Sequence, residues 1–389
     1  MYCAMSGVTA SHTQNVKIAK PFMNEDIVDT VASILRSGMM VQGKYVKEFE
    51  TKLSNYIGAK HVIAVNSGTA ALHVAIFAVL ESRRKPISPG DAEVVTTPLS
   101  FAATANAVLH AGCTPVFADV DPETFNIDPN KADDKVSERT IAIEPVDVFG
   151  LPADLEKINS IANAHGFPVV EDAAEAIGAS LSGKKIGTIS ELTCFSTYAT
   201  KNLHTGEGGF VTTADDDLAR SMEMIRSQGQ SSKYNHKMLG YNYRMLEMSA
   251  AIGIPQISIL DDLNSKRREN AKSLKETLSH VPSLTFQRVA KPEEHAWYMF
   301  SLLLDERKAG MSRDKFVSKL KESGIDADVS WPTPIHLQPY FRERFGYKEG
   351  DFPISEMICK SIFQLPIQPF LTSEEVHRTS SAVKSILPH

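Results

Sequence analysis

The chain has 389 residues, 42% hydrophobic and 23% charged, and its 41 Lys and Arg against 47 Asp and Glu leave a formal net charge of −6. Such a length holds one large domain and a smaller one, and the acidic balance argues against a protein that neutralises a nucleic-acid backbone. No apolar run approaches the ~20 residues that cross a bilayer, the start has no basic and apolar pattern of a signal peptide, and Cys3, Cys113, Cys194 and Cys359 form no CxxC pair. The expectation is a cytoplasmic protein without a membrane span, a metal framework or a nucleic-acid partner.

Residues 1–17 read as a loose arm. In "NEDIVDTVASILRSG", Asn24 caps a helix whose face carries Ile27, Val31, Ile34 and Leu35, and Gly38 stops it. "HVIAV" (61–65) reads as a buried strand and "TAALHVAIFAVL" (69–80) as a helix; "ESRRKPISPGD" (81–91) is a surface loop. Further strands fall at 92–98, 115–120, 141–148 and 167–172, with helices at 101–111 and 152–165. Alternating helices and near-continuous apolar strands predict an α/β fold with a mainly parallel central sheet, helices on both faces and ligands beyond the carboxyl ends of the strands. The large α/β domain is expected over 18–255. A long helix (247–281) bent at Pro255 leads into a smaller C-terminal α+β domain over 256–389, with a strand at 296–304, a helix at 312–324, and a Thr372-x-x-Glu375 capping box opening the last helix.

Three strand ends carry chemistry. Asn66, Ser67, Gly68 and Thr69 follow "HVIAV" at a helix N-terminus, where backbone N–H groups and the helix dipole favour an anion, although an ordinary cap explains them too. Asp172 emerges where "FPVVED" stops. Lys201 lies in "CFSTYATKNLHTGEGGF" (194–210), among the hydroxyls of Ser196, Thr197, Thr200 and Thr205 and beside Gly206, Gly208 and Gly209. A lysine in a dry pocket has a lowered pKa and forms Schiff bases. Anion cradle, acid and amine together match what pyridoxal 5′-phosphate needs.

These stretches, with "TPLSFAATANAVLHAGCTPVFADVD", "VVEDAAEAIGA", "LGYNYRMLEMSAAIGIPQ", "PIHLQPYF" and "LPIQPFLT" in the same order, resemble the DegT/DnrJ/EryC1/StrS family of pyridoxal-phosphate-dependent sugar aminotransferases over residues 18–389. The resemblance implies the aspartate-aminotransferase-like fold (fold type I) and a homodimer with shared active sites. It implies transfer of an amino group from L-glutamate to a nucleotide-linked keto-sugar, foremost a 4-keto-6-deoxyhexose, with pyridoxamine 5′-phosphate as the intermediate form. A cyclitol aminotransferase is the alternative; a pyridoxamine-phosphate-dependent sugar dehydratase is disfavoured because such members replace the lysine with histidine. By resemblance, Lys201 is the Schiff-base lysine and Asp172 the acid opposite the pyridine nitrogen. Gly68, Thr69 and Ser196 contact the phosphate, Asn242 reaches it from the other subunit, and Phe101 stacks on the ring. His336 stands at the substrate mouth. Arg244 and Arg226 are candidates for donor carboxylates and the sugar diphosphate. Glu175, counted with the cofactor-binding residues, departs from the commoner residue at its position, as do Asp147 and Gln228, and the departures are expected near substrate contacts.

Overall fold

The computed structural model describes residues 15–83, 90–290 and 293–387. Most of the expected arm, Cys3 and the middle of the 81–91 loop lie outside these residues. The end of the arm is not loose: Val16 is buried and forms a parallel bridge with Ile325.

Helix α1 (Glu25–Ser37) is capped by the Asn24 side chain and ends at Gly38 in the left-handed region. Ile27 and Ile34 are buried, whereas Leu35, expected on the same face, is exposed. Then follow α2 (Lys44–Ile57), β1 (His61–Val65), α3 (Gly68–Ser82), β2 (Glu93–Thr96), α4 (Ala103–His110), β3 (Thr114–Phe117), α5 (Pro129–Asp133), β4 (Thr140–Glu144) and α6 (Leu155–His165). Next come β5 (Val170–Asp172), the short pair β6 (Ser180–Leu181) and β7 (Lys184–Lys185), β8 (Leu192–Ser196), β9 (Gly209–Thr213) and α7 (Asp216–Arg226). Strands β1, β9, β8 and β5 pair in that order, as do β4, β2 and β3. Parallel bridges Ile143–Val169 and Val146–Asp172 join the two groups between β4 and β5. Only β9 runs against its neighbours. The carboxyl ends of β1, β2, β4, β5 and β8 therefore share one edge.

Both faces of this sheet are covered. One core joins Phe49 and Leu53 of α2 and Leu155 and Ile158 of α6 to Phe195 and Phe210. The other joins Ala70–Val79 of α3 and Met222 and Ile225 of α7 to Val65, Val94, Cys194 and Val211. Burial on every side explains why α3 is apolar all round.

The long C-terminal helix is two helices, α8 (Glu247–Ile257) and α9 (Leu260–Leu278). The break falls at Ser258–Ile259 rather than at Pro255, which stays inside α8. A residue's N–H points back one turn, so the bond Pro255 forgoes lies in the preceding turn and the helix continues past it. Beyond α9, antiparallel strands Leu284–Phe286, Phe300–Leu304 and Ile362–Leu365 form a three-stranded sheet. It packs with α9, with Arg313–Glu322 and with Ser373–Ile386, whose Thr372–Glu375 capping box has both arms in place.

Candidate active site

The shared edge of the sheet opens into a cavity of about 560 Å³ lined by Ser67, Gly68, Thr69, Phe101, Thr104, Asp172, Glu175, Ser196, Lys201, Tyr298 and Trp331, among others. At its base α3 begins immediately after β1. Ser67 Oγ accepts from Ala70 N–H at 3.1 Å, and the N–H groups of Gly68 and Thr69 have no intrahelical partner. Close backbone approach makes this possible. A Cβ on Gly68 would meet Ser196 Cβ at 2.7 Å, and one on Gly209 would meet the Ser67 and Phe195 carbonyl oxygens at 2.6 and 2.7 Å. Thr197 and Thr205 do not face the cavity: buried, they bond each other at 2.7 Å and hold the turn through Gly206.

Asp172, at the carboxyl end of β5, is buried. Its Oδ2 accepts from Thr104 Oγ1 at 2.8 Å and its Oδ1 from Ala174 N–H at 3.1 Å. Burial pushes its carboxyl up to about 6 despite these donors and the charge of Lys201. Lys201 follows β8, its side chain 13% exposed; Nζ donates to Glu175 Oε1 at 3.1 Å and lies 4.1 Å from the Tyr298 ring centroid. The expected lowering of its pKa is not found. Burial pulls it down, but the Glu175 carboxylate, Tyr298 and Asp172 outweigh burial and raise it, so the amine is a paired ammonium. Glu175 is held from its other side, Oε2 accepting from Phe149 N–H at 2.9 Å. Phe149 has φ +62 and stacks on Trp331, whose φ is +50, so one strained residue lines the cavity and a second, fully buried, packs behind it.

Phe101 is 65% exposed and lines the cavity, which removes core packing as its explanation. Asn242 and Arg244 lie outside the cavity: Asn242 is exposed and bridges Ser227, and Arg244 bridges Val65 through its backbone. Two candidates are misplaced as substrate contacts. Arg226 is buried against Glu50 Oε1 at 2.6 Å and the Ala64 carbonyl at 2.8 Å, fastening α7 to α2 and β1. His336 is 0% exposed; its Nε2 bonds Glu356 Oε1 at 3.0 Å inside an aromatic cluster with Phe352 and Tyr347. Nor do all three departures gather at the cavity. Glu175 does, but Asp147 is fully buried, accepting from Ala153 N–H, and Gln228 is an exposed turn residue with φ +62.

Residues 21–384 match the DegT/DnrJ/EryC1/StrS aminotransferase family. The chain belongs to that family. It is 38% identical over 380 residues to the spore coat polysaccharide biosynthesis protein SpsC of Bacillus subtilis, covering 94% of this chain and 96% of SpsC. GDP-perosamine synthase of Caulobacter vibrioides is 34% identical over 383 residues, covering 97% of this chain and all of that enzyme. Among solved structures, Helicobacter pylori PseC, an aminotransferase of pseudoaminic acid biosynthesis, superposes with a TM-score of 0.88 at 27% identity, covering 96% of this chain and 99% of PseC. The protein is thus a fold type I, pyridoxal-phosphate-dependent transaminase of the sugar aminotransferase family.

In this DegT/DnrJ/EryC1/StrS aminotransferase, sequence reasoning passed over Thr104, Tyr298 and Trp331. Thr104 carried a local signal in the paired hydroxyls of Ser100 and Thr104, four residues apart at the entry to α4, which bond at 2.7 Å. Tyr298 and Trp331 carried none, because only the packing of the C-terminal strands against the sheet edge brings them there. Among the described residues no His, Cys, Asp and Glu group is placed to hold a metal, and no helix is long and apolar enough to cross a membrane.

Proposed function

We propose that the protein moves an amino group from L-glutamate to a nucleotide-linked keto-sugar, foremost a 4-keto-6-deoxyhexose, using pyridoxal 5′-phosphate. The observation that carries this is the meeting of the Lys201 amine, the Asp172 carboxyl and the α3 N-terminus in one cavity. The residues fit the cofactor. Gly68, which admits no Cβ, leaves N–H groups and the Thr69 and Ser196 hydroxyls for a phosphate. A buried acid faces where a cationic ring nitrogen is stabilised, and exposed Phe101 offers a face for stacking.

When bound, the cofactor supplies the aldehyde that carries the amino group and a ring that takes up electrons. Lys201 Nζ would hold that aldehyde, and the same amine would carry a proton to and from the donor Cα. An amine serves here where an arginine, always protonated, would not. Glu175 orients Nζ and keeps the proton at hand. Asp172 would stabilise a proton on the cofactor's ring nitrogen, and Thr104 Oγ1 and Ala174 N–H fix its carboxylate plane. Tyr298, Met299 and Trp331 narrow the cavity from the C-terminal part and restrict water. We assign residues 18–255 to the cofactor domain and 256–389 to a smaller domain that closes it.

We assign Asn242 to the site of a second subunit in a homodimer, a reading supported by its exposure outside its own chain's cavity. The nucleotide-sugar acceptor is supported by the relatives named for GDP-perosamine and pseudoaminic acid, and by Glu175 in the cavity. Its substrates are charged metabolites, so we place the reaction in the cytoplasm. Nucleotide keto-sugars and a keto-inositol, each incubated with glutamate and the protein and read by mass spectrometry, test the reading. It predicts amination of a nucleotide 4-keto-6-deoxyhexose with stoichiometric 2-oxoglutarate; amination of keto-inositol alone contradicts it.

A further inference from the structure

A glutamate donor brings carboxylates; of the two arginines that the sequence offers for them, Arg226 is occupied by Glu50 and Arg244 lies outside the cavity of its own chain. Three arginines are buried among the described residues: Arg226, Arg267 and Arg313. Arg226 pairs with Glu50 and Arg313 with Asp314. Arg267, on α9 and 7% exposed, has no such acid. Its one hydrogen bond among the described residues is a long 3.4 Å donation from Nη1 to the Trp297 carbonyl, and its Nε has no partner. Burying a guanidinium without a counter-charge is expensive, and burial lowers its pKa to about 10.

Arg267 is not walled into the core. It lines a second cavity of about 190 Å³, and Thr200, Lys201, Tyr298 and Met299 line both this cavity and the larger one. The other charged groups on its wall are Lys20 and Asp328, both on exposed residues, and neither forms an ion pair with Arg267. A cation without an acidic partner among the described residues, on the wall that also carries the Lys201 amine, in a space about a third the size of the main cavity, suits a small carboxylate and not a nucleotide sugar.

We propose that Arg267 is the carboxylate subsite for the amino donor and the keto acid it becomes, set in the smaller cavity beside Lys201. The proposal rests on the aminotransferase reading. It leaves the larger cavity to the cofactor and the acceptor sugar. Arg267 donates to the incoming carboxylate, which supplies the counter-charge that the protein itself omits.

The test is calorimetric titration of the purified full-length protein with glutarate, a dicarboxylate that cannot react, in wild type, Arg267→Lys and Arg267→Gln. Steady-state kinetics with glutamate and the keto-sugar accompany it. Arg267→Gln should weaken glutarate at least about tenfold and raise the glutamate KM in step, with the acceptor KM within about threefold of wild type and Arg267→Lys falling between. Unchanged glutarate affinity in Arg267→Gln overturns the proposal. So does an equal rise in donor and acceptor KM. Should Arg267→Gln fail to fold, wild-type crystals soaked in glutarate decide: a carboxylate on the Arg267 guanidinium supports the subsite, and glutarate bound only in the larger cavity overturns it. Failure of the aminotransferase reading would look different, as absence of keto-acid formation by the wild type from any amino donor.

Discussion

The chemistry of the site turns on Lys201 and Asp172, whose pKa values are raised for different reasons. The Glu175 carboxylate 3.1 Å away helps raise the Lys201 amine above its ordinary value against the pull of burial, and burial raises the Asp172 carboxyl. The second fact has a pH signature. A carboxyl raised from 3.8 to about 6 binds its proton more tightly folded than unfolded. It therefore favours the fold at low pH, by about 3 kcal/mol below pH 4, and loses that contribution as pH rises through 6. In cofactor-free protein, the stability of wild type minus that of Asp172→Asn should fall by roughly this amount between pH 4 and 7, measured by urea unfolding; a flat difference would contradict the assignment. Lys201 and Asp172 were legible because Asp172 ends an apolar strand and Lys201 lies in the turn that follows one, and strand ends are where such sheets bind ligands. The charge of Lys201 was not, since it depends on Glu175, 26 residues earlier in the chain. The roles of Arg226 and His336 were hidden for the same reason, their partners Glu50 and Glu356 being set by packing.

Among the elements, the start of α3 is the most constrained. Its first residue sits so near β8 that only glycine fits: the Cβ of an alanine would press on Ser196 at 2.7 Å, an atom fixed at a strand end rather than on a flexible tip. Gly68→Ala should separate α3 from β8, weaken pyridoxal-phosphate binding by at least about tenfold and lower stability by about 1–3 kcal/mol. Equilibrium binding and thermal unfolding check both, and wild-type affinity would show that α3 does not form the phosphate cradle. Alternation of apolar strands and helices located these elements well, since two covered sheet faces demand it. It could not reveal that β9 runs antiparallel, a matter of pairing with β1 and β8, nor that the C-terminal helix parts at Ser258–Ile259. Its proline was the visible sign, but a proline within a helix disturbs the turn before it.

At the scale of the molecule, one sheet edge collects the ends of five strands, and the C-terminal part adds Tyr298 and Trp331 to close the cavity. That cavity still lacks Asn242, which its own chain holds outside, so a complete site needs two chains on the proposed reading. Mixed Lys201→Ala and Asn242→Ala subunits, each inactive alone, should regain up to about a quarter of wild-type activity: one sound site in each heterodimer, with half of randomly mixed dimers being heterodimers. Light-scattering mass and turnover after mixing check this, and no recovery despite subunit exchange would contradict a shared site. The most direct measurement is therefore to load the protein with pyridoxal phosphate, reduce it with borohydride and map the product by peptide mass spectrometry. A phosphopyridoxyl group on Lys201 alone is the predicted result; a label on another lysine, or none at saturating cofactor, would contradict the assignment at its root.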